Sequence, residues 1–164
     1  MLRAVRIVLL VVAAGSLCAL AAQTANPDQS NGGWITPVIK GYGQMVPLPN
    51  AAVQPDKNRT YKMVFLIEKA ADDPKEVSDG VDHLARIYNV FESLGVPPKN
   101  LKIVAVFTGA ASYAAMNNDV YREKYKQDNP NLKALQELKE AGAELYVCGQ
   151  AMHFLRLDEK QLSP

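Results

Sequence analysis

The chain has 164 residues, 48% of them hydrophobic and 21% charged, with a formal net charge of +1. That balance offers no electrostatic case for nucleic acid as a partner. Once an N-terminal leader is set aside, about 140 residues remain, enough for one domain around one core.

The first 22 residues read as that leader. Arg3 and Arg6 precede an uncharged run from Ile7 to Ala22, shorter than the roughly 20 residues a membrane-spanning helix needs. The pattern predicts a secretory signal peptide with a small-x-small cleavage site at Ala19-Leu20-Ala21. The expected destination is across the inner membrane into the periplasm, with no stable membrane anchoring after cleavage. Cleavage removes two of the 18 basic residues and none of the 17 acidic ones, taking the net charge from +1 to −1. It also removes Cys18 and leaves Cys148 as the one remaining thiol, so an intramolecular disulfide is excluded. Such a thiol is buried and inert, joined to another molecule, or reactive.

Residues 23–60 are rich in Pro, Gly and Asn, with prolines at 27, 37, 47, 49 and 55. Trp34, Ile35, Val38, Ile39, Tyr42, Met45 and Leu48 make the segment more apolar than a linker requires. It is expected to lie as an extended arm over its own domain or over a partner subunit.

Residues 61–164 form the expected globular domain. Met63-Val64-Phe65-Leu66-Ile67 is a continuous apolar run, the pattern of a central parallel strand covered on both faces. Asp73, Pro74 and Glu76 read as N-cap, first helical residue and capping-box partner of a helix whose buried stripe is Val77, Val81, Leu84, Tyr88 and Phe91. His83 falls on the opposite side of that helix and should face solvent. A second continuous strand, Leu101 to Phe107, ends in Thr108-Gly109-Ala110-Ala111-Ser112, small residues where strand turns to helix. A helix interrupted near Asn117-Asn118-Asp119 follows, and Asn129 with Pro130 caps the next one, which carries Leu132, Leu135, Leu138 and Ala141. This alternation predicts a three-layer α/β/α domain with a mostly parallel sheet.

Gly142 ends the last of these helices, and Glu144-Leu145-Tyr146-Val147 makes a short third strand. Cys148 then stands at a strand's carboxyl end, with Gly149 and Gln150 leading into an amphipathic helix through Leu157. Free N–H groups of that helix's first turn would favour the thiolate; the competing reading is a small hydrophobe packed in the core. Ligand sites in parallel sheets lie beyond the strand ends, so Cys148, Gly149 and Gln150 are expected to share a crevice with Thr108, Gly109 and Ala110. Gly149 is read as the residue that lets backbone and donor approach the sulfur, and Gly149→Val as a change that slows its reactions.

The run from Tyr61 to Leu157 resembles the DsrE/DsrF-like family of small α/β proteins linked to sulfur oxidation and sulfur transfer. The similarity is most specific over Leu138-Lys139-Glu140-Ala141-Gly142-Ala143-Glu144-Leu145-Tyr146-Val147-Cys148-Gly149-Gln150. The resemblance implies a flavodoxin-like wound topology, a homo-oligomer such as a trimer or hexamer, and a persulfide-carrying role for Cys148. It also implies a sulfur-donor or acceptor protein as partner. Gly41-Tyr42-Gly43, Pro47-Leu48-Pro49-Asn50-Ala51 and Asn129-Pro130-Asn131 look like an exported branch of the family. Since the family continues through further strands, three strands imply a sheet completed by the leader, by another chain, or by sequence missing after Pro164.

Other chemistries score lower on the residues. Gly149-Gln150-Ala151 after Cys148 exclude a C-x-x-C cycle. Cys148 and His153 lack a second ligand pair for a metal, and Gly109 has no lysine nearby to hold a phosphate. Neither metal nor cofactor is expected. The two functions carried forward are an exported sulfur carrier of sulfurtransferase type, with sulfane sulfur held on Cys148, and a non-catalytic small-ligand-binding or assembly module of the same fold.

Overall fold

The computed structural model describes residues 33–163; the expected signal peptide and the first part of the arm lie outside the described residues. Three parallel strands, β1 (Tyr61–Ile67), β2 (Leu101–Phe107) and β3 (Glu144–Val147), form a sheet in the order β1-β2-β3. Helix α1 (Asp79–Ser93) connects β1 to β2. A 3₁₀ helix (Gly109–Ala115), α2 (Asn118–Tyr125) and α3 (Leu132–Glu140) connect β2 to β3, and α4 (Gly149–Leu155) follows β3. This is the α/β fold with a parallel sheet that the alternation of elements predicts, but with two layers among the described residues instead of the expected three, because one face of the sheet is exposed. No helix among the described residues is long and apolar enough to cross a membrane.

The core lies on one face of the sheet. Leu101, Ile103, Ala105 and Phe107 point into it from β2, Val81, Leu84, Ala85 and Tyr88 from α1, and Ala134, Leu135 and Leu138 from α3. These are the periods of 2.0 and 3.6 that strands and helices impose. A chain that adds strands in one direction through crossovers of one hand puts the crossover helices on one face. On the other face Val64 is 76%, Leu66 63% and Tyr146 53% exposed. The reading of Met63–Ile67 as a central strand covered on both faces is therefore corrected: β1 is an edge strand with alternating burial. An unbroken apolar run records which side chains are apolar, not which faces other elements reach.

Two helix starts also differ from expectation. Asp73 accepts from the Lys75 N–H at 2.8 Å, and its carbonyl accepts from the Glu76 N–H at 3.0 Å, so Asp73-Pro74-Lys75-Glu76 closes a local turn instead of opening a helix. Helix α1 begins after Ser78, whose side chain accepts from the Val81 N–H and whose own N–H donates to Asn131 Oδ1 at 2.8 Å. Val77 thus packs against the core from outside the helix. His83 is exposed, as its position implies. Helix α3 starts after Asn131 rather than Asn129. Buried Asn129 donates to the Ala114 and Met116 carbonyls at 2.9 and 2.7 Å and accepts from Asn131, bracketing the end of the 3₁₀ helix.

The arm is a closed turn over residues 35–45, joined by an Ile35–Met45 antiparallel bridge and seated on α1. Its anchor is Asn89, fully buried. Asn89 Oδ1 accepts from the Val38 and Ile39 N–H groups, both at 2.9 Å, and Nδ2 donates to the Tyr42 and Gly43 carbonyls at 2.9 and 3.1 Å. Ile39 enters the core at 0% exposure. Gly43, at φ +59°, lies so close to α1 that a Cβ would come within 2.1 Å of the Arg86 nitrogen. Only glycine permits that approach.

Candidate functional site

The sheet places Cys148 and Thr108 side by side at its carboxyl edge. The Thr108 N–H donates to the Ile67 carbonyl at 2.8 Å and the Cys148 N–H to the Phe107 carbonyl at 2.8 Å. Each parallel ladder thus runs one residue beyond its strand. Cys148 is the N-cap of α4, with extended backbone (φ −66°, ψ 121°), and its carbonyl accepts from the Met152 N–H at 3.0 Å.

At this position the thiol faces the N–H groups that the first turn of a helix leaves unpaired. Its side chain makes no capping hydrogen bond, and a neutral sulfur is a weak acceptor. These groups shift the thiol toward its charged form. The backbone N–H of Ala151 contributes most to holding the Cys148 thiol below its ordinary pKa, followed by the Thr108 hydroxyl and the Gln150 N–H, with burial opposing them. Cys148 is half-buried and free, so its lowered pKa and accessibility suit a nucleophile better than a packed core residue.

The predicted site residues divide into two groups. Thr108, Cys148 and Gln150 converge on the sulfur. Gly109 and Ala110 are exposed and take no part in holding the charge. Gly109 instead adopts φ +53° against the Glu68 carbonyl, starting the 3₁₀ helix, and Ala111 N–H donates to that carbonyl at 3.2 Å. Gly149 has no positive φ, and a Cβ there would meet no atom beyond its chain neighbours within 4 Å, so the turn itself imposes no glycine. Ala151 is the contributor that sequence reasoning left out. Its signal was the helix start itself, since the third residue after a cap presents one of the first-turn N–H groups.

His153 is exposed and stands edge-on to Phe154, with ring centroids 6.1 Å apart. A groove of ≈ 940 Å³ beside β3 and α3 is lined by Leu135, Leu145, Val147, Met152 and Leu162 among others, and Cys148 is not part of its wall. Among the described residues no group of three or more His, Cys, Asp or Glu side chains is placed to hold a metal ion.

Comparison with known proteins gives one finding. The family model described as DsrE/DsrF-like matches residues 62–163. No curated protein and no solved structure matches the chain.

Proposed function

Because the chain belongs to the DsrE/DsrF-like family, we propose that it is a sulfur carrier that holds sulfane sulfur as a persulfide on Cys148. The observation that carries this reading is the setting of the thiol. A half-buried sulfur is held toward its anion by two first-turn N–H groups and the Thr108 hydroxyl.

In the proposed loading step the Cys148 thiolate attacks the outer sulfur of a persulfide donor, R–S–SH. The Cys148 S–S bond forms, the donor's S–S bond breaks, and the donor leaves as its thiolate R–S⁻. No net oxidation occurs, and no second cysteine of the mature chain is needed. The same helix N–H groups would stabilise the terminal sulfur's charge until an acceptor thiolate repeats the exchange. The partners in this proposal are a donor or acceptor protein and further copies of the chain in a homo-oligomer. The compartment is the periplasm, reached by cleavage of residues 1–22.

The test is intact-protein mass spectrometry after incubation with polysulfide. A gain of about 32 Da, one sulfur atom, on Cys148 is expected, reversed by a reducing thiol and absent from Cys148→Ser. A folded protein that gains no mass at Cys148 would sink the proposal. The alternative, an assembly module in which the cysteine is incidental, is favoured by the exposed apolar sheet face of Val64, Leu66 and Tyr146, and it requires that negative result.

A further inference from the structure

A second site lies beyond the carboxyl end of β1, in the kind of position where open α/β sheets take ligands. It shares no lining residue with the turn at Cys148. A cavity of ≈ 150 Å³ between the segment after β1 and the tyrosines of α2 is walled by Ala70, Ala71, Asp72, Tyr113, Tyr121 and Tyr125, with Ser78 and Asn131 also lining it. Pockets for drug-sized ligands occupy roughly 300–1,000 Å³; this one is sized for a single head group. From its walls and charges we infer that it binds a small organic ammonium ion.

The tyrosines form a cluster rather than a scatter. The Tyr121 and Tyr125 rings lie 4.6 Å apart, and Tyr113 meets Tyr125 edge-on at 6.2 Å and 78°. The face of each ring carries negative potential and attracts cations. The chain itself shows that two of these rings attract an ammonium. Lys124 Nζ lies 4.5 Å from the Tyr113 ring centre and 5.3 Å from that of Tyr125. The ion pairs among the described residues join Arg86 to Asp82 and Arg122 to Asp119 and Asp128. Lys124 has no part in them, so its ammonium is held by the rings.

Charge then selects the ligand. Asp72 stands in the wall, and the Asp73 carboxylate is close enough for its charge to act on Tyr121. The Tyr121 hydroxyl donates to the Pro74 carbonyl at 2.8 Å, which ties its ring to the same loop. An anion would meet the Asp72 carboxylate of the wall and the nearby charge of Asp73. A neutral apolar group would fill the space without the attraction between charge and ring. A methylated ammonium satisfies both.

The probe is choline, with 3,3-dimethylbutan-1-ol as its neutral isostere, added to the whole chain carrying labelled tyrosine rings and followed by NMR. Choline is expected to shift the Tyr113, Tyr121 and Tyr125 ring signals saturably, and the isostere to bind at least about tenfold more weakly, the size of a partly desolvated cation–π contact. Asp72→Asn changes an exposed side chain of the wall and should bind choline several-fold more weakly. The inference is overturned if choline gives no saturable shift, if the isostere binds equally well, or if Asp72→Asn binds choline as tightly as the parent.

Discussion

At Asn89 four backbone groups of the arm are met by one buried amide, whereas at Cys148 the first N–H groups of α4 face a sulfur that accepts little from them until it is charged. The first region has its polar groups paired and is closely packed. The second leaves donors underused beside an accessible thiol. Paired backbone groups hold a fold together; underused ones are available to a charge that appears during a reaction. If this contrast is right, substitutions at the arm should act on stability and those at the turn on reactivity.

The largest effect is expected at Asn89. Asn89→Ala strands the Val38 and Ile39 N–H groups and the Tyr42 and Gly43 carbonyls, and should lower unfolding free energy by about 3–5 kcal/mol in urea titration. A loss below about 1 kcal/mol would mean that the arm is not held by this side chain. Gly43→Ala comes next. Its methyl would collide with the α1 backbone at a positive φ, and the same titration should show a loss of about 2–4 kcal/mol.

At the other region, Thr108→Val keeps the shape and the backbone bond to Ile67 but removes the hydroxyl that favours the thiolate. The depressed pKa keeps Cys148 reactive as pH falls below the ordinary thiol value. The variant's iodoacetamide profile should therefore move to higher pH, with several-fold slower reaction near neutrality and an unchanged melt. An unmoved profile would leave the helix N–H groups as the whole cause. The smallest effect is expected for Gly149→Ala, within about 0.5 kcal/mol in stability and with alkylation unchanged, because the added methyl meets open space. A marked loss of reactivity there would restore glycine to the site.

The sequence by itself determined the order of strands and helices, the apolar stripe of α1 from Val81 to Tyr88, and the position of Cys148 between β3 and α4. Each of these is written in spacing and composition over a few neighbouring residues, where the two periods of backbone structure act directly. Tertiary structure decided what depends on residues distant in the chain. Helix α1 starts at Ser78 and not at Asp73 partly because Asn131, 53 residues away, holds the Ser78 N–H. The arm closes on Asn89, about 50 residues on, whose amide is a satisfied core group no local pattern marks. Strand β1 is an edge because only β2 pairs with it, and one of its faces is exposed because the core lies on the other. Thr108 came beside Cys148, 40 positions apart in sequence, because parallel pairing aligned Phe107 with Val147. Local sequence sets which backbone groups each segment offers; only the assembled sheet settles which of them find partners and which remain open to chemistry.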